Sequence, residues 1–88
     1  MYPWADEVAS IVHAWYLGNA TGDAISDVLF GAVNPSGKLS LSFPKRVEDL
    51  ASHGHFHTEG GKVRYAEDIF MGYKHYDNVK VRPAWDFG

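Results

Sequence analysis

The chain has 88 residues and a formal charge of −3 with histidines neutral, which allows one small domain at most. Apolar residues make up 45% and charged residues 22%, a globular composition rather than that of a disordered tail. No basic stripe offers nucleic acid an electrostatic footprint, the longest apolar run, at residues 14–17, is far too short to span a bilayer, and the lack of cysteine excludes disulfides and thiolate metal sites.

Residues 3–8 read as a short helical turn, with Pro3 suited to a first helical position and Asp6 and Glu7 near the positive end of the dipole. The start, Met-Tyr-Pro-Trp-Ala-Asp-Glu, has neither the basic beginning nor the apolar stretch of a signal peptide. That says nothing about secretion if Met1 is internal to a longer protein. Residues 11–17 (Ile-Val-His-Ala-Trp-Tyr-Leu) are nearly all apolar and predict a strand buried on both faces of a parallel sheet. Thr21 can cap a helix beginning at Gly22. Ala24, Ile25, Val28 and Leu29 give that helix an apolar face opposite Asp23, Ser26 and Asp27, and Gly31 closes it.

Asn34-Pro35-Ser36-Gly37 has turn chemistry. Leu39, Leu41 and Phe43 alternate with Lys38, Ser40 and Ser42, which predicts a strand with one buried face ended by Pro44. Strand, helix, turn and strand together are an α/β pattern. Residues 46–50 fit one helical turn. Residues 52–62, with three Gly and three His, read as loop. Residues 63–76 read as a strand-like start followed by a short helix.

Glycoside hydrolysis needs two carboxyl groups flanking one bond, about 5–5.5 Å apart for retention and ~6.5–9.5 Å for inversion. The adjacent pairs Asp6/Glu7, Glu48/Asp49 and Glu67/Asp68 diverge on a helix or a strand, so none is a catalytic dyad by itself; they read as solvated or capping groups. His53, His55 and His57 would share a strand face and could bind Zn²⁺ or Cu²⁺. Gly54 and Glu59-Gly60-Gly61 instead indicate a mobile loop, so no metal site is assigned. His13 and His75 read as packing residues. Gly18-Asn19-Ala20-Thr21-Gly22 leads to a helix start that could hold an anion, but it lacks the Lys of a P-loop and the third Gly of a dinucleotide fingerprint. Asn19-Ala20-Thr21 is an N-glycosylation sequon, relevant only in a secreted protein. Trp4, Trp15, Trp85 and the tyrosines could stack on sugar rings, with core packing the default for Trp15.

Longer words in the sequence carry more information than these spacings. Pro3-Trp4-Ala5-Asp6-Glu7-Val8, Ala14-Trp15-Tyr16 and residues 22–31 (Gly-Asp-Ala-Ile-Ser-Asp-Val-Leu-Phe-Gly), taken in order, resemble the second domain of family 3 β-glucosidases. Asn34-Pro35-Ser36-Gly37-Lys38-Leu39 with Phe43-Pro44-Lys45 resembles that domain's most recognisable stretch. Residues 63–77 (Val-Arg-Tyr-Ala-Glu-Asp-Ile-Phe-Met-Gly-Tyr-Lys-His-Tyr-Asp) resemble the segment that follows it, and Phe87-Gly88 the start of a Gly- and Tyr-rich motif. The loop 52–61 is similar to that of members carrying a sugar-binding insert. Departures are local: Tyr2 precedes Pro3, Ala66 stands where Gly is frequent, and Ala84-Trp85-Asp86 varies an aromatic-Pro run.

The resemblance implies the C-terminal part (residues 1–88) of an α/β sandwich. Its sheet would be six-stranded and mostly parallel, flanked by helices, and the barrel and fibronectin-like domains lie outside these residues. The implied parent is a retaining β-glucosidase acting on terminal, non-reducing β-D-glucosyl residues of a β-glucoside or cello-oligosaccharide, with no cofactor and no nucleic-acid or membrane partner. In the family the nucleophile is an Asp of the barrel, and the acid/base is a Glu upstream of the Pro-Trp-Ala-Asp stretch. Neither position exists here, so no catalytic, cofactor-binding or metal residue is assigned, and the chain alone is expected to be inactive. Met1 and Gly88 both fall inside family motifs, so the flanking frames are expected to encode a Glu-containing loop upstream and a Gly-Tyr-Gly-like run downstream. The alternative is a small stand-alone module binding carbohydrate or protein. Aglycone preference, compartment and oligomeric state stay open.

Overall fold

The computed structural model describes residues 2–88, which divide into two compact units, 2–37 and 38–88. Among the described residues, regular structure consists of helix α1 (Thr21–Leu29), helix α2 (Tyr73–Val79), the 3-10 turns Ala5–Glu7 and Val47–Asp49, and two isolated β-bridges. No helix is long and apolar enough to cross a membrane among these residues.

In the first unit the turn expected near Pro3 is present. The Ala5 amide donates to the Tyr2 carbonyl and the Glu7 amide to that of Trp4, with Asp6 and Glu7 in the first turn. Helix α1 begins at Thr21, one residue earlier than its pattern predicts. Thr21 is therefore not the cap: Ala20 holds that position, and the Thr21 hydroxyl bonds back to the Gly18 carbonyl. The helix ends as expected. Gly31 takes a φ of 78° and its amide donates to the Val28 carbonyl; glycine accepts that left-handed backbone without a Cβ clash.

The strand expected at residues 11–17 does not form; no ladder involves these residues among those described. Val12 is 58% exposed and Tyr16 98%, and Trp15 takes a φ of 50°, outside strand geometry. An interior parallel strand obtains its backbone hydrogen bonds from neighbours on both sides and its burial from helices above and below. Its apolar residues alone cannot supply either. The apolar face of α1 is open for the same reason, with Leu29 63% exposed.

In the second unit the strand expected at residues 39–43 is reduced to one antiparallel bridge, Phe43 to Trp85. The Phe43 amide donates to the Trp85 carbonyl at 2.9 Å, the Ala84 amide to the Phe43 carbonyl at 2.8 Å, and the Gly88 amide to the Leu39 carbonyl at 3.0 Å. The Trp85 ring meets Phe43 edge-on at 6.0 Å. The expected alternation is reversed at one position. Ser42 is buried, whereas Leu41 is exposed, because the packed side of this segment is the one that meets Tyr76 and Pro83, both buried.

The single turn expected at residues 46–50 is present as Val47–Asp49. The loop 52–62 is not formless. The Glu59 and Lys62 amides and carbonyls exchange two hydrogen bonds of 3.1 Å around Gly60 (φ 56°) and Gly61 (φ 75°). Two central residues at positive φ define the type I′ hairpin turn, which glycine favours. Of residues 63–76, the expected helix appears as α2, while the strand-like start does not.

Candidate functional site

The three adjacent carboxylate pairs lie on three separate turns. Asp6 and Glu7 are exposed on the first 3-10 turn. Asp49 is a capping group: its Oδ1 accepts from Arg46 Nη2 at 3.0 Å and its Oδ2 from the Arg46 amide at 3.3 Å. The hydrogen bond from the Arg46 guanidinium holds the Asp49 carboxyl below the ordinary value of 3.8; desolvation opposes it, and the charge of Arg46 adds a lesser lowering effect. Glu48 is exposed beside it. At the third pair the backbone turns sharply. Asp68 sits at φ 51° and is exposed, while Glu67 is half-buried.

The histidines do not converge on a metal. Among the described residues no group of three His, Asp or Glu side chains has a geometry that could hold one. His55 and His57 line a small depression with Glu59, Lys62 and Arg64 on the hairpin. His13 behaves as the packing residue its surroundings predict: the Tyr2 hydroxyl lies 3.3 Å from its Nδ1, and Trp15 meets its ring edge-on at 4.6 Å. His75 stands against the Tyr76 ring at 5.5 Å. The Gly18–Gly22 loop is a plain turn, since both the amide and the hydroxyl of Thr21 are directed to the Gly18 carbonyl.

The aromatic residues expected to stack are partly occupied with one another. Tyr73 stacks on Phe87 at 5.2 Å and 27°, and Tyr2 meets Trp4 at 5.2 Å. Trp15, read as core, is 55% exposed.

Another concavity lies elsewhere. A cleft of about 330 Å³ is walled by Leu41, Leu50 and Met71, with Ser42, Glu67 and Tyr76 supplying polar groups. Tyr76, at 7% exposure, and Ser42, at 7%, are the buried residues at its base. Burial, and secondarily the charge of Asp49, push the Tyr76 phenol up from 10.0, so it stays protonated at neutral pH. Sequence reasoning missed this convergence. Period-2 alternation assigned Ser42 to solvent, and no local pattern brings residues 41–42, 67 and 76 together.

Comparison with known proteins identifies the frame to which these elements belong. The glycosyl hydrolase family 3 C-terminal domain matches residues 1–73. A probable beta-glucosidase K of Emericella nidulans is 51% identical over 88 residues, covering 100% of this chain and 10% of the relative. A probable beta-glucosidase I of Aspergillus flavus is 46% identical over 86 residues, 98% of this chain and 10% of the relative. Among solved structures, a beta-glucosidase from Kluyveromyces marxianus in complex with glucose superposes with a TM-score of 0.91 at 46% identity, over 98% of this chain and 10% of that one. The chain thus spans about a tenth of the length of these relatives. With the family domain matched over residues 1–73 and identity sustained along the whole chain, this polypeptide belongs to glycosyl hydrolase family 3, through its C-terminal domain.

Proposed function

We propose that these 88 residues are a scaffold segment of the α/β sandwich domain of a retaining β-glucosidase that acts on terminal, non-reducing β-D-glucosyl residues, and that they contain none of its catalytic carboxyls. The observation that carries this reading is the 51% identity, from the first residue to the last, to a protein named as a probable beta-glucosidase ten times as long. The local chemistry agrees with it. Retention requires a nucleophilic carboxylate and an acid/base carboxyl on opposite sides of one glycosidic bond. Here Asp49 is committed to Arg46, Asp6 and Glu7 lie on an exposed turn, and Asp68 is exposed where Glu67 is half-buried. The same reading explains the open apolar surfaces: residues 11–17 and the face of α1 are suited to neighbours contributed by other parts of a parallel-sheet domain.

The test is hydrolysis of an aryl β-glucoside by the purified 88-residue chain. No turnover above buffer is expected, because losing even one catalytic partner costs several orders of magnitude. Turnover that disappears on Glu67→Gln would assign a catalytic carboxyl to these residues and overturn the proposal.

A further inference from the structure

We propose that Asn19, in the turn ahead of α1, is an N-glycosylation site, and that the intact polypeptide carries an oligosaccharide there, attached in a secretory compartment. The sequence holds three asparagines. Asn34 is followed by Pro35, which blocks the acceptor triplet, and Asn78-Val79-Lys80 lacks a hydroxyl at its third position. Asn19-Ala20-Thr21 alone satisfies the pattern, whose structural requirement is a surface loop. The structure meets that requirement. Asn19 and Ala20 form the middle of a turn closed by the Thr21 amide on the Gly18 carbonyl at 3.2 Å, and Asn19 is exposed. A methyl group at Gly18 or Gly22 would meet no atom beyond the adjoining chain within 4 Å, so the space on both sides of Asn19 is open.

This openness differs in kind from that of the apolar surfaces. Residues 11–17 and the apolar face of α1 are suited to burial by neighbouring elements, whereas residues 18–22 (Gly-Asn-Ala-Thr-Gly) join the ends of those elements. Such connections run over the surface of a domain. Asp23 and Asp27, both exposed, carry the solvated surface onward along α1. In the folded chain the Thr21 hydroxyl bonds to the Gly18 carbonyl, which occupies the group by which a transferase reads the triplet. Attachment therefore precedes closure of this turn. The Asn19 carboxamide nitrogen attacks the anomeric carbon of a lipid-linked oligosaccharide diphosphate. A carbon–nitrogen bond forms as the bond from that carbon to the phosphate oxygen breaks; the lipid diphosphate departs, and the amide proton passes to a carboxylate of the transferase. No carboxylate of this chain takes part, so the inference stands apart from the catalytic reading.

The experiment uses the intact polypeptide, purified from the organism that makes it. Treatment with peptide-N-glycosidase in heavy-oxygen water converts each glycosylated asparagine to isotope-labelled aspartate. Peptide mass spectra should show the label at Asn19 and none at Asn34 or Asn78. Thr21→Ala should lose the label at Asn19, and Thr21→Ser, which restores the hydroxyl, should keep it. Asn19→Gln should migrate faster than the native polypeptide in a denaturing gel, by the loss of one oligosaccharide. Both readouts are taken on denatured protein, so a variant that folds poorly still reports. An unlabelled Asn19 peptide, equal labelling of all three asparagines, or label retained in Thr21→Ala would each overturn the proposal.

Discussion

Cutting these 88 residues away from any surrounding sequence should leave a chain that cannot fold cooperatively. The magnitude follows from the surface. A folded monomer of 9.8 kDa is expected to expose about 5,200 Å², whereas the chain exposes 7517 Å². If roughly 55–60% of the excess is apolar, about 1,300 Å² of burial is missing, worth ~30 kcal/mol at ~25 cal/mol per Å². Even half of that exceeds the net stability of about 5–15 kcal/mol typical of intact domains. The missing burial can be named: Tyr16, Phe30 and Tyr65 are all at least 85% exposed. The isolated chain should therefore retain helical far-ultraviolet dichroism while lacking sharp near-ultraviolet signals. It should also bind a hydrophobic dye and unfold in urea without a distinct transition. A monomer with sharp aromatic signals and one cooperative transition would refute this reasoning.

Two further predictions concern local devices and are read on the intact polypeptide that carries the segment. Arg46 lowers the carboxyl of Asp49 below 3.8 in the folded state, so their contact stabilises the fold above that value and is lost as pH falls through the depressed one. The drop in urea midpoint caused by Arg46→Gln should be present at neutral pH and vanish in that acid range; a drop independent of pH would contradict the pairing. Lys80 ends α2 in the left-handed conformation at φ 56°, which costs a non-glycine residue ~1–2 kcal/mol. Lys80→Gly should raise stability by up to about 1 kcal/mol after the entropy of the more flexible unfolded chain is subtracted, measured as a higher urea midpoint. A lowered midpoint would mean that the lysine side chain makes a compensating contact.

Elements whose bonds are local were legible in the sequence. Helix α1 follows from the spacing of Ala24, Ile25, Val28 and Leu29 with Gly31 behind them, and the turn at Val47–Asp49 from its short polar run. These bonds close within three or four residues, so the pattern alone specifies them. Strands were not legible in the same way. Residues 11–17 have the composition of an interior strand, but a strand is completed by partners remote in sequence, and the unpaired run leaves Trp15 in a left-handed conformation. The hairpin at Glu59–Lys62 was hidden by the histidines around it, although Gly60-Gly61 is the dipeptide a type I′ turn favours. The family was visible through whole motifs such as Asn34-Pro35-Ser36-Gly37, not through periodicity. The Glu67–Tyr76 cleft had no local signature, because it arises where three separate segments meet.

The central claim, that this segment supports catalysis without performing it, is tested most directly by a graft. These 88 residues replace the matching stretch of the Emericella nidulans relative, and Asp6→Asn, Glu7→Gln, Glu48→Gln and Asp68→Asn are then introduced together. Hydrolysis of an aryl β-glucoside should keep its kcat/KM within about tenfold of the unsubstituted graft, since on the proposed reading none of these carboxylates meets the substrate. A fall of about four orders of magnitude, the scale on which loss of a catalytic group is felt, in a graft whose urea midpoint is unchanged would contradict the account.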